Sequence, residues 1–176
     1  MMRSAVFYGA ISLDGYLADR DQQIDWLEKF EVPDAINQAY TDFMATIDTL
    51  IIGRNSFDYV ASQFAEYPYP ELMNYVYTSR PLPQASAQIQ VPTQTPTELV
   101  KSLKNQPGQD LWIVGGGRIV TELIANQQLD KMIIQVAPIL LGGGYRLFEA
   151  LNQQTQFELV SVVKMGQYTE MTLVKK

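Results

Sequence analysis

The chain contains no cysteine and no histidine. That excludes disulfides, cysteine nucleophiles and structural zinc sites. It also excludes Ser-His-Asp catalysis and zinc-type hydrolysis. No long basic run is present, and the net charge is −6. Nucleic acid and anionic membrane are poor partners for such a surface. No stretch reaches the length of a transmembrane helix. The apolar run over residues 5–13 stops at Asp14 and Gly15. A signal peptide would need a longer run and a small-residue cleavage site, so a first core strand is expected there. The lack of cysteine is compatible with a reducing cytoplasm, the expected location.

What is present suits one globular unit. The 176 residues are 47% hydrophobic, which predicts a single domain over residues 1–176. Apolar runs at residues 4–11, 48–52, 73–78, 110–114 and 131–137 read as buried strands, and 89–91 as a short one. Ile36, Tyr40, Phe43, Met44 and Ile47 carry a helical period, with Asp34 able to cap its start. Residues 56–61, 96–103 and 119–126 read as further helices, with Thr95 or Thr97 near the cap of the middle one. Residues 157–163 and 168–174 form a closing antiparallel hairpin. Strands alternating with helices predict a three-layer α/β/α fold around a mostly parallel sheet. The hairpin predicts an antiparallel edge.

Three strand ends share one theme. Ile52 is followed by Gly53, Arg54, Asn55 and Ser56. Tyr77 is followed by Thr78, Ser79 and Arg80. Val114 is followed by Gly115, Gly116, Gly117, Arg118 and Ile119. Glycines let backbone N–H groups approach an anion, and the helix that opens next adds its positive dipole end. Arginine supplies a planar fork suited to phosphate. One such arginine is best read as a solvated loop residue, and a glycine triplet alone as a plain turn. Three together at the carboxyl ends of parallel strands point to an anion site. A dinucleotide with a 2′-phosphate fits three separated cationic points. A fourth glycine cluster, Gly142, Gly143 and Gly144, reads either as a connecting loop or as a frame for a substrate mouth or subunit contact.

These blocks resemble the reductase domain of riboflavin biosynthesis, within the dihydrofolate reductase-like superfamily. The resemblance rests on Ser12-Leu13-Asp14-Gly15, on Ile52 to Ser56, on Ile113 to Gly117, on Leu129-Asp130 and on Ala137-Pro138 through Gly144. They occur in family order over nearly the whole chain. The resemblance implies a central sheet of eight or nine strands, NADPH as cofactor and a homodimer, with the apolar hairpin residues Val160, Val162 and Val163 as one possible interface. It implies that Gly53, Arg54 and Ser56 hold phosphates, that Ser79 and Arg80 lie near the 2′-phosphate, and that residues 115–119 cradle the pyrophosphate. The backbone at Ala10 and Ile11 would border the nicotinamide.

The function so implied is NADPH-dependent reduction of a small heterocycle, similar to that of 5-amino-6-(5-phosphoribosylamino)uracil reductase. A dihydrofolate reductase and a non-catalytic NADPH-binding module are the alternatives. Counting back without gaps from Gly53 puts Asn37 where dihydrofolate reductases carry their pterin-binding carboxylate; Asp34 or Asp42 would serve only after a shift in register. The family is often fused to a zinc deaminase, an activity that these residues, without His or Cys, cannot carry. For the small-molecule substrate, the sequence offers Asp14 at the mouth of the first strand, with Trp26 and Tyr40 as cleft walls. Asp14 reads equally as a turn residue, and Tyr40 fits the core. Asp25 is a weaker acid candidate. No catalytic acid is identified, and no metal is expected.

Overall fold

A computed structural model describes residues 3–176. The chain runs β1 (Ala5–Ser12), β2 (Tyr16–Ala18), a 3-10 turn (Asp25–Lys29), α1 (Asp34–Met44), β3 (Ile47–Gly53) and α2 (Arg54–Ser62). It continues with β4 (Met73–Tyr77), β5 (Ile89–Gln90), α3 (Pro96–Lys104), β6 (Asp110–Gly115), α4 (Gly117–Ala125) and β7 (Lys131–Ala137). The last elements are β8 (Tyr145–Arg146), β9 (Phe157–Met165) and β10 (Tyr168–Lys175). Eight strands form one sheet in the order β5-β4-β3-β6-β1-β7-β10-β9, and β2 pairs with β8 apart from it. Ladders from β5 to β7 are parallel, and β10 is antiparallel to both β7 and β9.

The strands are apolar on both faces because both faces are covered. Val6, Tyr8, Leu50, Ile52, Val76 and Trp112 pack towards Phe43 of α1 and Phe57 of α2. Ala5, Phe7, Ile51, Leu111, Ile113 and Ile134 pack towards Leu99, Val100 and Leu103 of α3 and Val120, Leu123 and Ile124 of α4. Each fully buried aliphatic or Phe side chain stabilises by roughly 1.5–3 kcal/mol. This is the expected dihydrofolate reductase-like α/β/α arrangement with its antiparallel hairpin.

Two local expectations differ. Ile47 belongs to β3 and not to the helical face, because α1 ends at Met44 and the chain turns there, with the N–H of Thr46 donating to the Phe43 carbonyl. Asp34 does not cap α1; Pro33 stands at that position, and Asp34 is the first helical residue. The far edge of the sheet is β9, where Leu159, Val160, Val162 and Val163 are exposed. Among the described residues, no helix is long and apolar enough to cross a membrane.

Candidate functional site

Only the first halves of β1 and β6 are paired. Their ladder ends at Phe7 and Ile113, whereas β1 stays paired with β7 as far as Ser12 and Ala137. The chain leaves the two strands in opposite directions. From β1 it passes through α1 to β3; from β6 it passes through α4 to β7. A crevice opens outside the carboxyl ends of parallel strands whose connections part in this way. Here it is a cleft of about 950 Å³, lined by Gly9 and Ala10 on one side and by Val114, Gly115 and Gly116 on the other. It extends past the ends of β3 and β4, along Gly53, Arg54, Ser56, Thr78, Ser79 and Arg80.

The start of α4 faces this cleft. Gly116 precedes the helix without a side-chain cap, and the space where its side chain would stand is open. The first N–H groups of a helix have no intrahelical acceptors, and the helix dipole adds positive potential at them. The start of α2 is alike, with Gly53 at the cap position and no side-chain cap. Two glycines of the triplet have distinct grounds. Gly115 has a φ of +134°, a conformation that L residues rarely adopt. At Gly117 a side chain would collide with the backbone carbonyl of Arg146.

The arginines differ in how they are held. The side chain of Arg54 is 17% exposed; its Nε donates to Asp58 at 2.6 Å and its Nη1 to the Pro81 carbonyl at 2.6 Å. Arg80, 57% exposed, donates to Asn55 at 2.9 Å and stands 3.4 Å from Asp58. One carboxylate therefore holds two guanidinium groups side by side. Arg118 is 90% exposed, with Glu149 at 3.5 Å.

The other end of the cleft is aromatic. Tyr8, Tyr40, Tyr69 and Trp112 line it. Tyr8 stacks on Phe43 with ring centroids 4.6 Å apart, and Tyr40 and Tyr69 meet Trp112 edge-on at 6.1 and 5.4 Å. The hydroxyls of Tyr40 and Tyr69 are 2.9 Å apart. The Trp112 indole N–H donates to the Tyr8 carbonyl at 3.1 Å, bridging β6 and β1 next to the split. Burial, and then the charge of Glu170, push the Tyr8 phenol up to about 12. Burial likewise raises Tyr40, Tyr69 and Tyr77. These phenols stay protonated at neutral pH and act there as hydrogen-bond donors. The hydroxyl of Tyr77, also on the cleft, is buried without a partner among the described residues.

Of the residues assigned to a cofactor from sequence, all but Ile11 line the cleft. Ile11 is packed into the core under α3 and α4. Tyr40 lines the cleft; Asp14 and Trp26 do not. The Asp14 carboxylate accepts from the Ser12 hydroxyl at 2.6 Å and from the N–H groups of Leu141 and Gly142 at 3.1 and 2.7 Å. Those bonds, led by Ser12, lower its pKa to about 2. Asp14 thus clamps the first turn to the fourth glycine cluster. Trp26 is buried with Ala137 and Tyr168, and its indole N–H has no partner among the described residues. Asp42 is engaged on the surface by Gln38 at 2.8 Å.

Beyond the fourth glycine cluster, Tyr145 and Arg146 pair with β2 and line the cleft. The sequence reading missed these two, along with Tyr8, Tyr69, Trp112 and the apolar lip formed by Leu17, Ile24 and Leu27. Aromatic and aliphatic residues on strands and turns carry no local signal that separates core from cleft wall. Among the described residues, no cluster of Asp and Glu could hold a metal ion.

Comparison with known proteins agrees with this geometry. A family model described as the RibD C-terminal domain matches residues 5–170. The Bacillus subtilis (strain 168) protein named "Uncharacterized protein YwjB" is 33% identical over 175 residues, covering 99% of each chain. The crystal structure of a "Putative riboflavin biosynthesis protein" from Shewanella sp. PV-4 is similar with a TM-score of 0.86 and 28% identity, over 98% of this chain and 99% of that one. A dihydrofolate reductase from Enterococcus faecalis, complexed with NADP(H) and RAB-propyl, shares the fold with a TM-score of 0.68 at 17% identity, over 100% of this chain and 99% of that one.

Proposed function

The chain belongs to the RibD C-terminal domain family, which is of reductase type, and from that premise we propose that it is an NADPH-dependent reductase of a small heterocyclic substrate. The observation that carries the reading is the split between β1 and β6, with an uncapped helix start on one side and two arginines at its far end. The donors present fit a dinucleotide. The N–H groups at the start of α4 would hold a pyrophosphate. Arg54 and Arg80, with Thr78 and Ser79, offer a cationic, hydroxyl-rich pocket for a 2′-phosphate. The partnerless Tyr77 hydroxyl can meet a polar group of the cofactor.

When bound, the nicotinamide supplies the hydride. The chain supplies position. Gly9 and Ala10, with little or no side chain, would border the nicotinamide. Ile24 and Leu27 add apolar surface to the cleft lining. Holding two rings in one cleft can contribute several kcal/mol through orientation, on the order of 7–11 kcal/mol when geometry is ideal. The dihydrofolate reductase alternative lacks support from α1, which presents the Tyr40 phenol to the cleft and no carboxylate. We extend the proposal to a homodimer through the exposed apolar edge at β9, because an uncovered edge of that composition invites pairing; sedimentation at twice the 19.9 kDa chain mass is the expected result.

Thermal unfolding with NADPH and with NADH tests the cofactor. A ligand at 100 times its dissociation constant stabilises by roughly 2.7 kcal/mol. For a chain of this size the expected shift is on the order of 5–10 °C with NADPH and little with NADH. No shift with either, at millimolar ligand, would overturn the reading. A shift with NADPH but no turnover across a panel of heterocycles would favour the binding-module alternative.

A further inference from the structure

The two ends of the cleft differ in charge. Arg54, Arg80 and Arg118 stand around the glycine end. Among the described residues one other cation lines the cleft, Arg146, whose backbone carbonyl lies against Gly117 at the glycine end. The Arg146 guanidinium lies 4.6 Å over the Tyr16 ring and donates to the Tyr16 hydroxyl at 2.9 Å. Among the described residues no lysine lines the cleft, and the single lining carboxylate, Glu149, faces Arg118. The aromatic end is therefore walled by neutral groups.

Tyr8 gives that wall a direction. The buried Gln135 amide nitrogen donates both to the Tyr8 hydroxyl oxygen at 3.0 Å and to a Glu170 carboxylate oxygen at 2.9 Å. An ionised carboxylate only accepts, so Glu170 fixes which end of the amide faces the two groups. The Tyr8 oxygen must then accept, and its own hydrogen is left over. Among the described residues, none accepts that hydrogen. Tyr8, a residue of the cleft lining, thus keeps a hydroxyl hydrogen free to donate.

We infer that the aromatic end binds an uncharged, planar, phosphate-free ring that presents a hydrogen-bond acceptor to Tyr8. This rests on the reductase reading, which assigns the glycine end to the dinucleotide. Stacking and edge-on contacts from Trp112, Tyr40 and Tyr69 suit a flat ring. A phosphate, with a charge of about −2 at neutral pH, meets no free cation there. Tyr8 touches the substrate; Gln135 and Glu170 are positioning residues that act through it.

Riboflavin and its 5′-phosphate form a matched probe pair, differing only in the phosphate. Each is titrated into protein saturated with NADP+, with quenching of flavin fluorescence as the readout. Riboflavin is expected to bind at least about tenfold tighter than the phosphate, since the latter would bring an unpaired charge to a neutral wall. Tyr8→Phe should weaken riboflavin about tenfold, the usual scale for one lost hydrogen bond, while keeping the NADP+ thermal shift. Glu170→Gln, which frees the Gln135 amide to turn over, should weaken riboflavin roughly threefold, and Glu170→Asp should restore it. Equal or tighter binding of the phosphate, no effect of Tyr8→Phe, or no quenching by either flavin would overturn the inference while leaving the cofactor reading intact. Absence of the NADP+ shift in the unmodified protein would overturn both.

Discussion

The starts of α3 and α4 present the same problem solved in opposite ways. Both helices follow a parallel strand, and both begin with N–H groups that lack intrahelical acceptors. At α3 the chain supplies its own acceptors. The Thr95 hydroxyl accepts from the Glu98 N–H at 3.2 Å, and the Glu98 carboxylate accepts from the Thr95 N–H at 2.9 Å. Glu122, reaching across from α4, takes the Thr97 N–H at 3.1 Å. No residue of α3 lines the cleft. At α4, as at α2, a glycine without a side-chain cap stands before the helix, and both starts line the cleft. Of these three starts, the one closed by the chain's own side chains lies away from the cleft, and the two left open face it.

The comparison can be broken most strongly at the cationic end. Replacing Arg54 and Arg80 together by alanine should weaken NADPH about 30- to 100-fold and NADH less than about threefold, given roughly 1.5–3 kcal/mol for a hydrogen bond to a charged group and discounting for the exposure of Arg80. Isothermal titration with both cofactors checks this; equal losses would remove the 2′-phosphate assignment. Closing α4 as α3 is closed gives a smaller effect. Gly116→Ser should raise stability by a few tenths of a kcal/mol and weaken NADPH about tenfold, because the new hydroxyl competes for the same N–H groups. Opening α3 does the reverse. Thr95→Ala should cost about 1 kcal/mol in urea unfolding and leave NADPH affinity unchanged.

The smallest effect concerns a carboxylate acting as an internal anion. Asp14 does for the N–H groups of Leu141 and Gly142 what a ligand phosphate would do for α4. Its folded pKa, about 2, lies below the usual 3.8. The stabilisation is therefore fully present above about pH 4 and is lost as pH falls through about 2. The stability gap between the unmodified protein and Asp14→Asn should shrink over that window; a gap independent of pH would show that the carboxylate charge is irrelevant to the clamp.

Much of this was legible in the residues. Parallel strands buried on both faces read as continuous apolar runs, so β1, β3, β6 and β7 were found within a residue or two. The glycine, hydroxyl and arginine groups at strand ends were legible because turn chemistry is local, and together they located one end of the cleft. The aromatic end was not. Tyr8 and Trp112 sit among buried strand residues, and only the splay of β1 from β6 brings them to the cleft. The role of Asp14 was hidden as well, since its acceptor bonds reach residues well over a hundred positions away. The two-residue strand β8 has no periodicity to detect, yet it covers the start of α4.

The place of β1 in the sheet has a consequence for how the chain is made. β1 pairs with β6 and β7, near residues 111–113 and 131–137, both of which are made long after it. At about 5–20 residues per second, its apolar length waits roughly 6–25 s for its second neighbour. Until β6 has been made, Val6, Phe7, Tyr8 and Ile11 have no strand to pair with. Nascent chains stalled before β6 would carry β1 as an unpaired, uncharged strand, the kind of segment that holdase chaperones and aggregates both capture.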